Sequence, residues 1–88
     1  MRFAVTYHFE EMNNSVSTFY RWTLPVLADN AEHAKLQTKL FLSSVLKERY
    51  FCIETATEIS SSEEFANIAK SEPEIVNDIS FCDRNIPY

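Results

Sequence analysis

The sequence predicts a small α+β single domain in the order β-β-α-β-α, with a mostly antiparallel three-stranded sheet and helices packed on one face. Three observations carry this. Residues 2–10 and 15–27 alternate apolar and polar side chains on either side of an Asn-Asn pair. Residues 30–47 follow a capping signal with apolar residues at helical spacing. Residues 50–59 read again as a strand before serine-rich helix starts. Strands and helices in this order build a sheet covered by helices. The 88 residues fit one domain, with a ββαβ core over 1–60 and a C-terminal helical segment and tail over 61–88.

In the first strand Phe3, Val5, Tyr7 and Phe9 share an apolar face, opposite Arg2, Ala4, Thr6, His8 and Glu10. In the second, Val16, Thr18, Tyr20, Trp22, Leu24 and Val26 oppose Ser15, Ser17, Phe19, Arg21, Thr23 and Pro25. The two form a hairpin turned at Asn13-Asn14, because the chain has no glycine and asparagine tolerates positive φ. Pro25 cannot donate to a ladder, so the strand ends there or runs along an edge.

Asp29-Asn30-Ala31-Glu32 reads as a capping box, with Asp29 as the cap and Glu32 reaching back. At about 100° per residue, Ala34, Thr38, Phe41, Leu42 and Val45 face the sheet. Leu36 and Leu40 fall nearly opposite, flanked by Lys39, Ser43 and Lys47. In the third strand Phe51, Ile53 and Ile59 point one way and Cys52, Glu54 and Glu58 the other. Ser61 with Glu64 starts a short helix. Ser71-Glu72-Pro73-Glu74 starts another, with Ile75, Val76 and Ile79 as its apolar side.

The absence of glycine excludes phosphate-cradling loops and dinucleotide fingerprints. His8 and His33 share no metal-ligand spacing, no CxxC is present, and both read as surface histidines. Cys52 beside Glu54 and Cys82 before Asp83 lack the positive surroundings of a reactive thiolate. Acidic pairs such as Glu63-Glu64 suit a helix start. No cofactor and no catalytic constellation are expected, so the chain does not read as an enzyme. The N-terminal residues lack a signal-peptide pattern and no apolar run reaches a membrane span, so the expected compartment is the cytoplasm, with both thiols reduced.

Two surfaces remain. The helix face of Leu36 and Leu40, rimmed by Lys39 and Lys47, needs cover from the C-terminal helix (Phe65, Ile68, Ile75, Ile79), from a second copy, or from another protein. The outer face of the hairpin offers Arg2, His8, Phe19 and Arg21 as a stacking platform. With a net charge of −5 the chain is repelled by phosphate backbones, which weighs against direct nucleic-acid binding. The expected function is a non-catalytic protein-interaction module. Its size and charge fit an inhibitor of a nucleic-acid-handling enzyme, of the anti-CRISPR-like kind phages direct against host defences. The alternatives are a single-stranded nucleic-acid-binding module using the hairpin's outer face, and a small enzyme.

Overall fold

The hairpin of β1 (Arg2–Asn13) and β2 (Val16–Leu27) organises the chain. The computed structural model describes residues 1–47 and 49–76. The turn falls at Asn14 and Ser15, one residue later than expected, with φ of 53° and 68°. Two positive φ values in succession match the right-handed strand twist, and no glycine is needed because these residues tolerate them. Pairing runs from Arg2 with Leu27 to Asn13 with Val16. Met1 O accepts from Ala28 N at 3.0 Å. Hydrogen-bonded pairs therefore fall on alternate residues, and Pro25, opposite Ala4, takes a position that needs no donor. Among the described residues β2 also has no outer neighbour at that level, so the proline sits on an edge there.

Helix α1 (Ala31–Leu46) follows, then β3 (Phe51–Glu58), α2 (Ser62–Ile68) and β4 (Glu74–Val76). Among the described residues the sheet has four strands, not three, in the order β3-β1-β2-β4, all antiparallel. The fourth strand replaces the expected helix start at Ser71-Glu72-Pro73. Residues 74–76 pair with Phe19–Arg21 instead of forming a helical turn. Pro73, with its fixed φ and missing donor, precedes the strand. The expected apolar residue Ile79, and Cys82, lie outside the described residues.

α1 packs mainly on β3 and β1. Phe3, Val5, Tyr7, Ala34, Leu42, Phe51 and Ile53 form the buried core, with Trp22, Leu24 and Val26 half-buried beside it. Burial raises the Tyr7 phenol above its usual value. The cap is Asn30, not Asp29: its Oδ1 accepts from His33 N at 2.9 Å. Extended backbone at Asn30 allows that bond, and Asp29 stands one residue outside the helix.

A bulge between Thr6 and Tyr7 on the β1–β3 ladder inserts Glu54 as an extra residue. Side-chain parity reverses there. Phe51 and Ile53 face α1, whereas Ile59, whose amide donates to Arg2 O at 2.8 Å, is buried on the other face. The expectation that all three share one face fails for this reason. α2 contacts β1 and β2 and not α1, and Ile68 shares a recess with Arg21 and Thr23. It therefore lies on the face opposite α1, and the helices do not pack on one side of the sheet. The Ser61 cap is as expected, with Ser61 Oγ accepting from Glu64 N at 3.2 Å.

Candidate functional site

The apolar surface left uncovered by this arrangement is the first candidate. Leu36 is 52% exposed and Leu40 62%. Phe41 and Val45, expected to face the sheet, are 52% and 56% exposed. Only Ala34, Thr38 and Leu42 of α1 are buried. The correction has a geometric cause. α1 sits over β3 and β1, so Phe41 overhangs β2 and Val45 lies near the far end of the sheet, beside Met12. Thr38 is buried because its hydroxyl donates to Ala34 O at 2.8 Å, satisfying it inside the helix.

Neighbouring strands are about 4.8 Å apart and a helix with its side chains is about 10 Å wide, so one helix covers about two strands. Among the described residues, α1 covers β3 and β1 and leaves much of the same face of β2 without a helix over it. Between Leu24, Val26 and Leu27 of β2 and Gln37 and Phe41 of α1 runs a cleft of about 330 Å³ with no charged residue in its wall. Beside it lie Tyr20, Trp22 and, on β4 opposite Tyr20, Ile75, which is 66% exposed. The Trp22 indole donates to Ser71 O at 3.1 Å, which anchors the strap leading into β4. Lys35 and Lys39 are half-buried along α1, and Lys47 is exposed at its end. Neither Phe65, Ile68 nor Ile75 covers Leu36 and Leu40, because α2 is on the opposite face and β4 belongs to the sheet.

The second candidate is the hairpin's outer face, where the structure brings three of the four expected residues together. His8 is fully buried, not a surface histidine. Its Nδ1 lies 3.1 Å from Glu54 Oε2. Arg21 Nε donates to Oε1 and Oε2 of the same carboxylate at 3.2 and 3.0 Å. The His8 ring is 6.3 Å from Phe19 and 5.8 Å from Tyr50, and Phe19 meets Tyr50 edge-on at 6.1 Å. Phe19 is half-buried by these contacts and does not present a free stacking face. Arg2 stands six residues along the strand from His8, roughly 20 Å away at 3.3 Å per residue, and its guanidinium donates to Ser60 O at 3.4 Å. Glu10 accepts from the Ser17 hydroxyl and is not the partner of Arg21.

Glu54 and Tyr50 are the cluster members that sequence reasoning missed. Period-two alternation placed Glu54 on the right face but showed neither the bulge nor its partners. The cluster ties β3 to β2 across β1 by polar contacts. Among the described residues no group of His, Cys, Asp and Glu could hold a metal ion. Cys52, opposite His8, is disulfide-bonded and not a reduced thiol, which corrects that expectation. No helix among the described residues is long and apolar enough to cross a membrane. Comparisons of the chain with protein-family models, with curated proteins and with solved structures return no match.

Proposed function

We propose that this protein is a non-catalytic protein-interaction module that binds through the outer face of α1 and the adjoining uncovered half of the sheet. One observation carries the reading: four large apolar residues of a single helix, Leu36, Leu40, Phe41 and Val45, are each more than half exposed. One of them, Phe41, also borders a wall of half-buried apolar side chains on β2. Fully burying a leucine contributes about 1.5–3 kcal/mol, so covering the exposed part of these residues offers a partner several kcal/mol in all. Contiguous apolar surface with a polar rim is the usual mark of a protein contact. Lys39 and Lys47 supply that rim.

The finer reading is an inhibitor of a nucleic-acid-handling enzyme, of the kind phages use against host defences. Its support is the net charge of −5 on an 88-residue chain. An acidic protein is drawn to the basic grooves that such enzymes present to nucleic acid. The hairpin's outer face supports nucleic-acid binding less well, since His8, Phe19 and Arg21 are engaged with Glu54 and Tyr50.

The test compares the chain with Leu36→Asp/Leu40→Asp as bait for proteins from a relevant lysate. A specific protein retained by the wild type and lost by the folded variant supports the reading. Equal retention by both removes the α1 face from the account.

A further inference from the structure

We infer that the disulfide at Cys52 is a redox-sensitive clasp: it holds the arm of α2 and β4 on the sheet, and its reduction releases that arm from the edge of β2. Cys52 is disulfide-bonded and only 3% exposed, so its sulfur is closed off from a second chain. The sequence has one other cysteine, Cys82, which is therefore the partner. The bond joins β3 to the chain that follows β4, and these two are the outer strands of the sheet among the described residues. Pairing sets Cys52 opposite His8, His8 opposite Arg21, and Arg21 opposite Glu74, one row across all four strands. Three strand spacings put Cys52 about 14 Å from Glu74. Residues 75–82 span about 26 Å at full extension, so the chain is long enough to close the bond.

The arm needs such a clasp. Among the described residues 60–76 no side chain is buried: Phe65, Ile68 and Val76 are half-buried and the rest are exposed. β4 pairs with β2 through three residues, and the seven-residue α2 is too short to persist without packing. The Trp22 indole adds one hydrogen bond, to Ser71 O at 3.1 Å. A segment held this lightly opens at a much lower free energy than the core. A cross-link closing a loop of about 30 residues removes most of the freedom that opening gains. The buried core of Val5, Tyr7, Ala34, Leu42 and Ile53 takes no residue from the arm, so the arm can leave while the core stays packed. Reduction by a dithiol breaks the S–S bond and delivers two electrons and two protons to make two cysteine thiols, and the reductant leaves as its own disulfide. The released arm uncovers the backbone edge of Phe19–Arg21, to which another extended segment can add.

The test follows the full chain, purified without reductant, before and after dithiothreitol under native conditions. Amide hydrogen exchange and the emission of Trp22, the only tryptophan, are the readouts. The inference expects no free thiol and the mass of one chain before reduction, and two free thiols after it. The paired amides of residues 19–21 and 74–76 are expected to exchange at least about tenfold faster in the reduced chain, with Trp22 emission shifted to the red. Val5 and Leu42 amides are expected to keep their protection. Cys82→Ser is expected to show the same pattern without reductant, which separates loss of the bond from other effects of the thiol. A free thiol or a disulfide between chains in the unreduced protein overturns the inference. Unchanged exchange at 19–21 and 74–76 after reduction overturns it too. So does loss of protection at Val5 and Leu42, which would make the bond a support of the whole fold and not of the arm.

Discussion

Arg21 Nε donates to both carboxylate oxygens of Glu54, although β2 and β3 are not paired and β1 runs between them. The contact is made because Glu54 is the extra residue of a bulge, which bends β3 and aims the side chain inward over His8. Removing the guanidinium leaves a largely buried carboxylate with one charged donor fewer. Arg21→Ala is therefore expected to destabilise the fold by about 1–3 kcal/mol. Arg21→Lys should recover only part of that, since an ammonium cannot reproduce the guanidinium's planar geometry. Urea unfolding midpoints check both. A midpoint unchanged in Arg21→Ala would mean the strut does not contribute to stability.

The helix start gives a paired test. Asn30 caps α1 through Oδ1, and Asp29 lies outside the first turn. Asn30→Ala is expected to cost about 1 kcal/mol, and Asp29→Ala a few tenths through weakened dipole interaction. Thermal unfolding of the two variants orders them. The reverse order would restore the capping box at Asp29.

Tyr7 sets an alkaline limit. Burial raises its phenol above 10.0, so the folded state holds the proton more tightly than the unfolded chain does. Between the unfolded and folded values the folded state binds more protons, and stability falls as pH rises. This contribution is fully present below about pH 10 and is lost as pH climbs through the raised value. Tyr7→Phe is expected to flatten that part of the profile. Unfolding free energies measured from neutral to strongly alkaline pH show whether it does.

Leu40 and Leu42 are two residues apart on α1 and have opposite roles. Leu42 is 1% exposed in the core. Leu42→Ala is expected to cost about 2–5 kcal/mol through lost burial and a residual cavity. Leu40→Ala should cost under about 0.5 kcal/mol in the single chain, because the side chain gives up little buried area and alanine favours helix. Denaturant unfolding at high dilution separates them.

Much of this was legible in residue order. Alternation in 2–10 and 15–27 marks the hairpin, because period two reports directly which side chains share a sheet face. The cap at Ser61 and the apolar stripe of α1 were legible for the same local reason. What was hidden depends on partners distant in sequence. Nothing in Glu74-Ile75-Val76 distinguishes a strand from a helical turn until Phe19–Arg21 lie beside it. The bulge at Glu54 shifts parity without altering the pattern before it, so Ile59 appeared to share a face with Ile53. Phe41 and Val45 lie on the helix side that faces the sheet, yet α1 sits off-centre and leaves them uncovered. Helical periodicity gives the angle of a side chain and not where the helix is placed on the sheet. For the site, Leu36 and Leu40 were visible as surplus apolar residues. Trp22 and Leu24 joined them only once the width of the sheet was known.

The measurement that most directly tests whether the outer face of α1 is a docking surface and not core is the unfolding curve of Leu36→Asp/Leu40→Asp, taken at high dilution. The account predicts a cooperative transition within about 1 kcal/mol of the wild type, the remainder being helix propensity. A chain that unfolds, or loses about 3–6 kcal/mol, would contradict it by showing that both leucines are buried in the folded monomer.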